Sequence, residues 1–123
     1  MDREQAEVEL AAMESTFDVT LSGDTRERVL KSIERDLLTF DEESEKFTLI
    51  LRRPVELDNG KTVDALVIRE PNTEQMQKAD TGQGEFAMTV RVLGFVTGQP
   101  IGVIHRLRSR DLTAASSVLA FFG

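Results

Sequence analysis

The sequence contains no cysteine, no tryptophan and no tyrosine, one histidine and three prolines. Without cysteine there is no disulfide framework and no thiolate chemistry. A lone histidine cannot assemble a zinc site. His105 stands among Ile104, Arg106 and Leu107, and no Gly-x-Ser-x-Gly elbow offers it a nucleophile. It reads as a boundary residue on a helix. Gly82 and Gly84 are too sparse to cradle a phosphate in either of the usual glycine-rich loops. No apolar run reaches the roughly 18–20 residues of a membrane span. The opening residues MDREQAEVEL lack the basic start and apolar centre of a signal peptide. Asp41-Glu42-Glu43-Ser44-Glu45 lacks the glycine-punctuated pattern of a calcium loop and reads as a solvated linker. No metal, cofactor or catalytic group is therefore expected. The chain reads as a cytosolic binding protein rather than an enzyme.

What is present is enough for a modest core. The chain has 123 residues, 40% hydrophobic and 30% charged, which fits one domain spanning 1–123. The net charge of −7 is unevenly placed. Residues 1–46 hold 14 acidic and 6 basic residues, a net of −8, and residues 47–123 a net of +1. Such acidity favours solubility and makes the chain a poor non-specific ligand for nucleic acid. Residues 1–46 are therefore expected to be an acidic extension that aids solubility and steers a basic partner. Residues 1–15 should then be dispensable for folding of the rest.

The pattern is organised around Phe47–Pro71. Two extended runs flank Asn59-Gly60, the strongest two-residue hairpin signal. Folding back there sets Leu57 opposite Thr62 and Leu51 opposite Ile68. One face then carries Leu51, Val55, Leu57, Leu66 and Ile68, with Arg53 and Asp64 among them. The other carries Ile50, Val63, Ala65 and Val67, diluted by Arg52, Glu56 and Arg69. Helices are expected over one face, with partial cover on the other. Pro54 cannot donate to a ladder, so its strand should be at an edge or bulged. Phe17–Leu21 alternates apolar and polar residues and reads as a short third strand. The expected class is α+β: an antiparallel hairpin, or a three-stranded sheet, followed by a C-terminal helical bundle.

Helical spacing supplies the remaining elements. Ala6, Leu10 and Met13 form a weak stripe in residues 2–15. Val29, Ile33, Leu37 and Phe40 predict a helix over 25–40, with Asp24 and Glu27 as its capping box. Asn72 and Gln75 predict a capped helix through Ala79. Residues 85–97 fit both periods: their valines favour a strand, whereas their length and the following Gly98 and Pro100 favour a helix. Pro100 suits the first turn of a short helix, and Ser109 should cap a last one from Arg110. There Leu112, Ala115, Leu119 and Phe122 form one stripe, with Val118 and Phe121 to its side. The side set either packs into the core or, with Ile104 and Leu107, forms a partner-binding or self-association face, and that face is the expected binding site. Arg106, Arg108 and Arg110 make a small basic run, read either as a solvated helix junction or as a contact for acidic protein surface.

One ordered set of residues carries a resemblance. Leu51, Pro54 and Val55 precede the Asn59-Gly60 turn, and Val63, Leu66 and Ile68-Arg69-Glu70-Pro71 follow it. Then come Thr97-Gly98, Pro100, Ile104, Leu107, Ser109-Arg110-Asp111-Leu112 and Phe121-Phe122. Over roughly 47–122 the chain resembles the tail assembly chaperones of contractile-tailed, Mu-like phages and prophages. The resemblance implies a non-enzymatic protein of the host bacterial cytoplasm. It would bind and solubilise the tape measure protein during tail morphogenesis, help recruit tail tube subunits, and be missing from the mature virion. It also implies a helix over 85–97. The competing reading is a structural tail tube or baseplate adaptor retained in the particle. Residues 1–46 are longer than the family's usual lead-in.

Overall fold

A computed structural model describes all residues from Met1 to Gly123. In chain order the elements are α1 (Arg3–Phe17), α2 (Gly23–Glu34), β1 (Leu38–Asp41), β2 (Lys46–Glu56) and β3 (Thr62–Ile68). These are followed by α3 (Thr73–Ala79), α4 (Glu85–Thr97), α5 (Ile101–Arg106), α6 (Ser109–Val118) and a terminal 3₁₀ turn, Leu119–Phe122. The strands form one antiparallel sheet in the order β1-β2-β3. No helix is long and apolar enough to cross a membrane.

The α+β class holds, but the expected arrangement of a hairpin followed by a helical bundle does not. Two helices precede the sheet. The C-terminal helices pack on one another, α4 on α3, α5 and α6, and also close over the rest of the fold: α4 packs on β3, α6 on β2 and α2, and the 3₁₀ turn on α1. One hydrophobic cluster draws on every part of the chain, from Ala6, Leu10 and Met13 through Leu49 and Leu66 to Phe121. Residues 1–46 contribute to the same cluster as the rest of the chain. Ala6 and Leu10 are completely buried, which conflicts with the expectation that residues 1–15 are dispensable.

The expected strand at 17–21 is replaced by the end of α1. Phe17 is the last helical residue, and Asp18 caps the helix in the left-handed region at φ 53°. The Asp18 and Val19 N–H groups donate to the Ser15 and Glu14 carbonyls, and the Leu21 N–H donates to the Glu14 carboxylate at 2.7 Å. These bonds satisfy the backbone locally and leave nothing for a ladder. The third strand is Leu38–Asp41 instead. Helix α2 runs only from Gly23 to Glu34, because Asp36 adopts φ 58° and turns the chain. Leu37 and Phe40 thus belong to the strand side of the turn, and Phe40 pairs with Phe47. The N-cap is Ser22, not Asp24, which lies in the first turn where its charge suits the helix dipole. The acidic residues 42–45 are a tight turn between β1 and β2 rather than a linker.

The hairpin forms with a different register from the one expected. Its loop is Leu57–Lys61, closed by the Leu57 N–H on the Lys61 carbonyl at 2.7 Å. Gly60 alone takes a positive φ, of 83°, as in a three-residue loop closed by a left-handed residue. Thr62 pairs with Glu56, not Leu57, and Ile68 pairs with Phe47, not Leu51. The first, one-residue difference comes from the loop, and the larger one arises between Ile50 and Val55, where β2 bulges around Pro54. Beyond the bulge the division into faces survives, but near the turn it does not: Val55 and Val63, expected on opposite faces, pair with each other. Phe47, Leu49, Leu66 and Ile68 are buried, while Ile50 and Val67 are 47% and 45% exposed.

The C-terminal half follows its sequence more closely. Asn72 and Gln75 form a complete capping box on α3, and residues Glu85–Thr97 are helical, so the strand-like valines yield to length and the Gly98 cap. Helix α6 starts at Ser109 with Arg108 as its N-cap, one residue earlier than expected.

Candidate partner-binding surfaces

The expected partner-binding residues lie inside the molecule. Ile104 and Leu107 on and after α5, Val118 at the end of α6 and Phe121 in the 3₁₀ turn are 1%, 8%, 1% and 1% exposed. They do not line a groove at the surface. Phe121 instead stacks on Phe47, centroid to centroid 4.9 Å at 24°, and Phe47 in turn meets Phe40 at 4.6 Å. Phe17 approaches Phe122 edge-on at 5.3 Å. Such separations are those of favourable aromatic pairs, and they tie the chain's end to its first helix and to the sheet.

A surface site lies elsewhere, where α2, β2 and the start of α6 meet. The β2 bulge sets its geometry. Pro54 interrupts the ladder, and the N–H groups of Arg52 and Arg53 point away from any strand partner. The Asp111 carboxylate in the first turn of α6 accepts both, at 2.9 and 3.0 Å. Asp111 is 2% exposed, so this anion is committed to the backbone. Beside it opens a cleft of about 460 Å³. Its rim carries Arg28, Lys31 and Arg35 from α2, Arg52 from β2 and Arg110 from α6; the hydroxyls of Ser32, Ser109 and Thr113 also line it, beside an apolar part made of Leu37, Leu49, Ile50 and Ala114. A second hollow of about 380 Å³ shares Arg52, Arg110 and Asp111 and adds Arg53 and Arg108.

Seven of the 15 basic residues thus gather at one place on a chain of net charge −7. All seven are exposed. The ion pairs of the molecule use the N-terminal amine, Arg3, Arg26, Lys78 and Arg106, and none of the seven. The basic run seen in the sequence divides accordingly. Arg106 holds the Glu56 carbonyl at 3.1 Å and Asp58 at 3.5 Å, while Arg108 and Arg110 face the hollows. The sequence reading missed Arg28, Lys31 and Arg35, although their i, i+3, i+7 spacing puts them on one face of α2. Arg52 and Arg53 join them only through the bulge.

No group of three or more metal-ligating side chains is assembled. The geometry is that of a small α+β protein presenting a charged, partly apolar cleft. The family follows from the sequence: residues 48–123 match the family described as phage tail assembly chaperone proteins, E, or 41 or 14. The chain belongs to this family, and membership places it in tail assembly, among protein partners, in the host cell. No curated protein and no solved structure matches it.

Proposed function

We propose that the chain binds the tape measure protein and keeps it soluble during tail morphogenesis in the host cytoplasm. It acts without catalysis and leaves before the particle is complete. The family match over residues 48–123 carries this reading. The physics supports it. A long helical tape measure exposes apolar stripes until the tube encloses it, and such surface aggregates. An acidic partner of net charge −7 keeps a complex dispersed. In this reading Ile104, Leu107, Val118 and Phe121 serve binding from beneath, by fixing α5, α6 and the terminal turn in place.

Co-expression tests the proposal. The tape measure protein, insoluble alone, should move to the soluble fraction with this chain and co-purify with it. Mass spectrometry of purified particles should then find the tape measure protein and not this chain. A tape measure protein that stays insoluble, or a chain recovered in stoichiometric amount from particles, overturns the reading and favours a retained structural component.

A further inference from the structure

We propose that the cleft between α2, β2 and the start of α6 is a docking site for an acidic, amphipathic peptide segment of a partner protein. Several features converge on this chemistry. Arg28, Lys31 and Arg35 line one wall, and Arg52 and Arg110 the other, so a ligand between them meets positive charge on both sides. None of these cations forms an ion pair within the chain. The one carboxylate at the site, Asp111, accepts from the Arg52 and Arg53 N–H groups and is not free to occupy the guanidinium groups. No side chain caps the first amides of α6, so the positive end of that helix adds to the field.

The apolar part decides between kinds of anion. A phosphate can use the cations and the hydroxyls of Ser32, Ser109 and Thr113, but it would leave Leu37, Leu49, Ile50 and Ala114 uncovered; an amphipathic peptide whose acidic residues reach the rims covers them as well. Arginine forks match carboxylates in bidentate fashion. A nucleic acid would have to cross a surface that is otherwise acidic, against repulsion. A second copy of the chain has the apolar stripes of α1, α2, α4 and α6 buried in its own core and offers no free amphipathic segment of this kind. The remaining candidate is a different protein with acidic residues at helical spacing. The inference does not depend on that protein being the tape measure protein.

The test uses the full chain and a fluorescent synthetic peptide about four helical turns long, with Glu on one face and Leu on the other. Anisotropy titrations should show binding that weakens as salt is raised. A matched peptide with Gln in place of Glu should bind about tenfold more weakly or not at all. Combining Arg28→Glu, Arg35→Glu and Arg110→Glu should abolish binding while the melting transition persists. Lys61→Glu, at the distant hairpin loop, should leave binding within about twofold. Arg28→Gln with Arg35→Gln supplies the same reading if the charge reversal unfolds the chain. The proposal is overturned if the cleft variants bind as the parent does, or if Lys61→Glu weakens binding equally. It is also overturned if duplex DNA binds more tightly than the peptide. Self-association of the parent chain that these variants abolish would assign the cleft to a second copy and overturn it too.

Discussion

Asp111 Oδ1 accepts the backbone N–H of Arg52 at 2.9 Å across 59 residues of sequence, and Oδ2 accepts that of Arg53 at 3.0 Å. One carboxylate therefore replaces the ladder partners that the β2 bulge gives up at Pro54, and it ties the last helix to the central strand. Removing it leaves two partly buried donors without an acceptor. Asp111→Ala should cost about 1–3 kcal/mol, and Asp111→Asn less, because its amide oxygen still accepts one bond. Urea denaturation at unchanged slope checks this. A loss below about 0.5 kcal/mol for the alanine variant would show that the link is incidental.

The same contact shows what was legible in the sequence. Asn59-Gly60 marked the turn, Pro54 marked a bulge, and Asn72 with Gln75 marked a helix start, because each rests on a local preference. The bulge's length was not legible, since Asp111 accepts its freed N–H groups from a distant segment. The N-terminal half misled for a related reason. Asp18 and Asp36 take left-handed conformations that glycine usually signals, so α1 and α2 ended without warning. Leu37 and Phe40 then continued a helical period by coincidence. The cleft was half visible, as the basic run at 106–110 and the spacing of Arg28, Lys31 and Arg35. Their meeting with Arg52 and Arg53 is a product of tertiary structure.

Acid sensitivity should arise between the first two helices. The Arg3 guanidinium reaches Glu27 at 2.5 and 3.0 Å and Glu34 at 2.6 Å. Hydrogen bonding from Arg3 holds the Glu27 carboxyl below the ordinary glutamate range, with burial opposing and the charges of Arg3, Lys31 and Arg26 adding to the shift. A carboxyl lowered in the folded state contributes stability above its unfolded value and loses it as pH falls through the folded one. The loss should therefore fall in the acid window just beneath the usual glutamate range. The parent chain should lose melting temperature there, and Arg3→Gln should flatten that part of the profile. Because the pair is exposed, added salt should shrink the effect. Equal slopes for parent and variant would assign the acid loss to other groups.

Val118 and Phe121 were expected to form a surface for a partner, and in the fold both are 1% exposed. Phe121 stacks on Phe47 and lies 6.1 Å from Phe17, so its removal opens space at the junction of sheet, first helix and chain end. Phe121→Ala alone should cost about 3–5 kcal/mol through lost transfer energy and the cavity left behind. Val118→Ser adds an unpartnered hydroxyl in the same cluster, and the two effects need not add because the residues share neighbours. Against a typical domain stability of about 5–15 kcal/mol, Val118→Ser with Phe121→Ser should unfold the chain or strip it of a cooperative melting transition. Circular dichroism melts and the dispersion of amide proton signals check this. If the double variant instead keeps a melting temperature within a few degrees of the parent and has lost only its partner, the terminal turn leaves the core on binding and these side chains meet the partner directly.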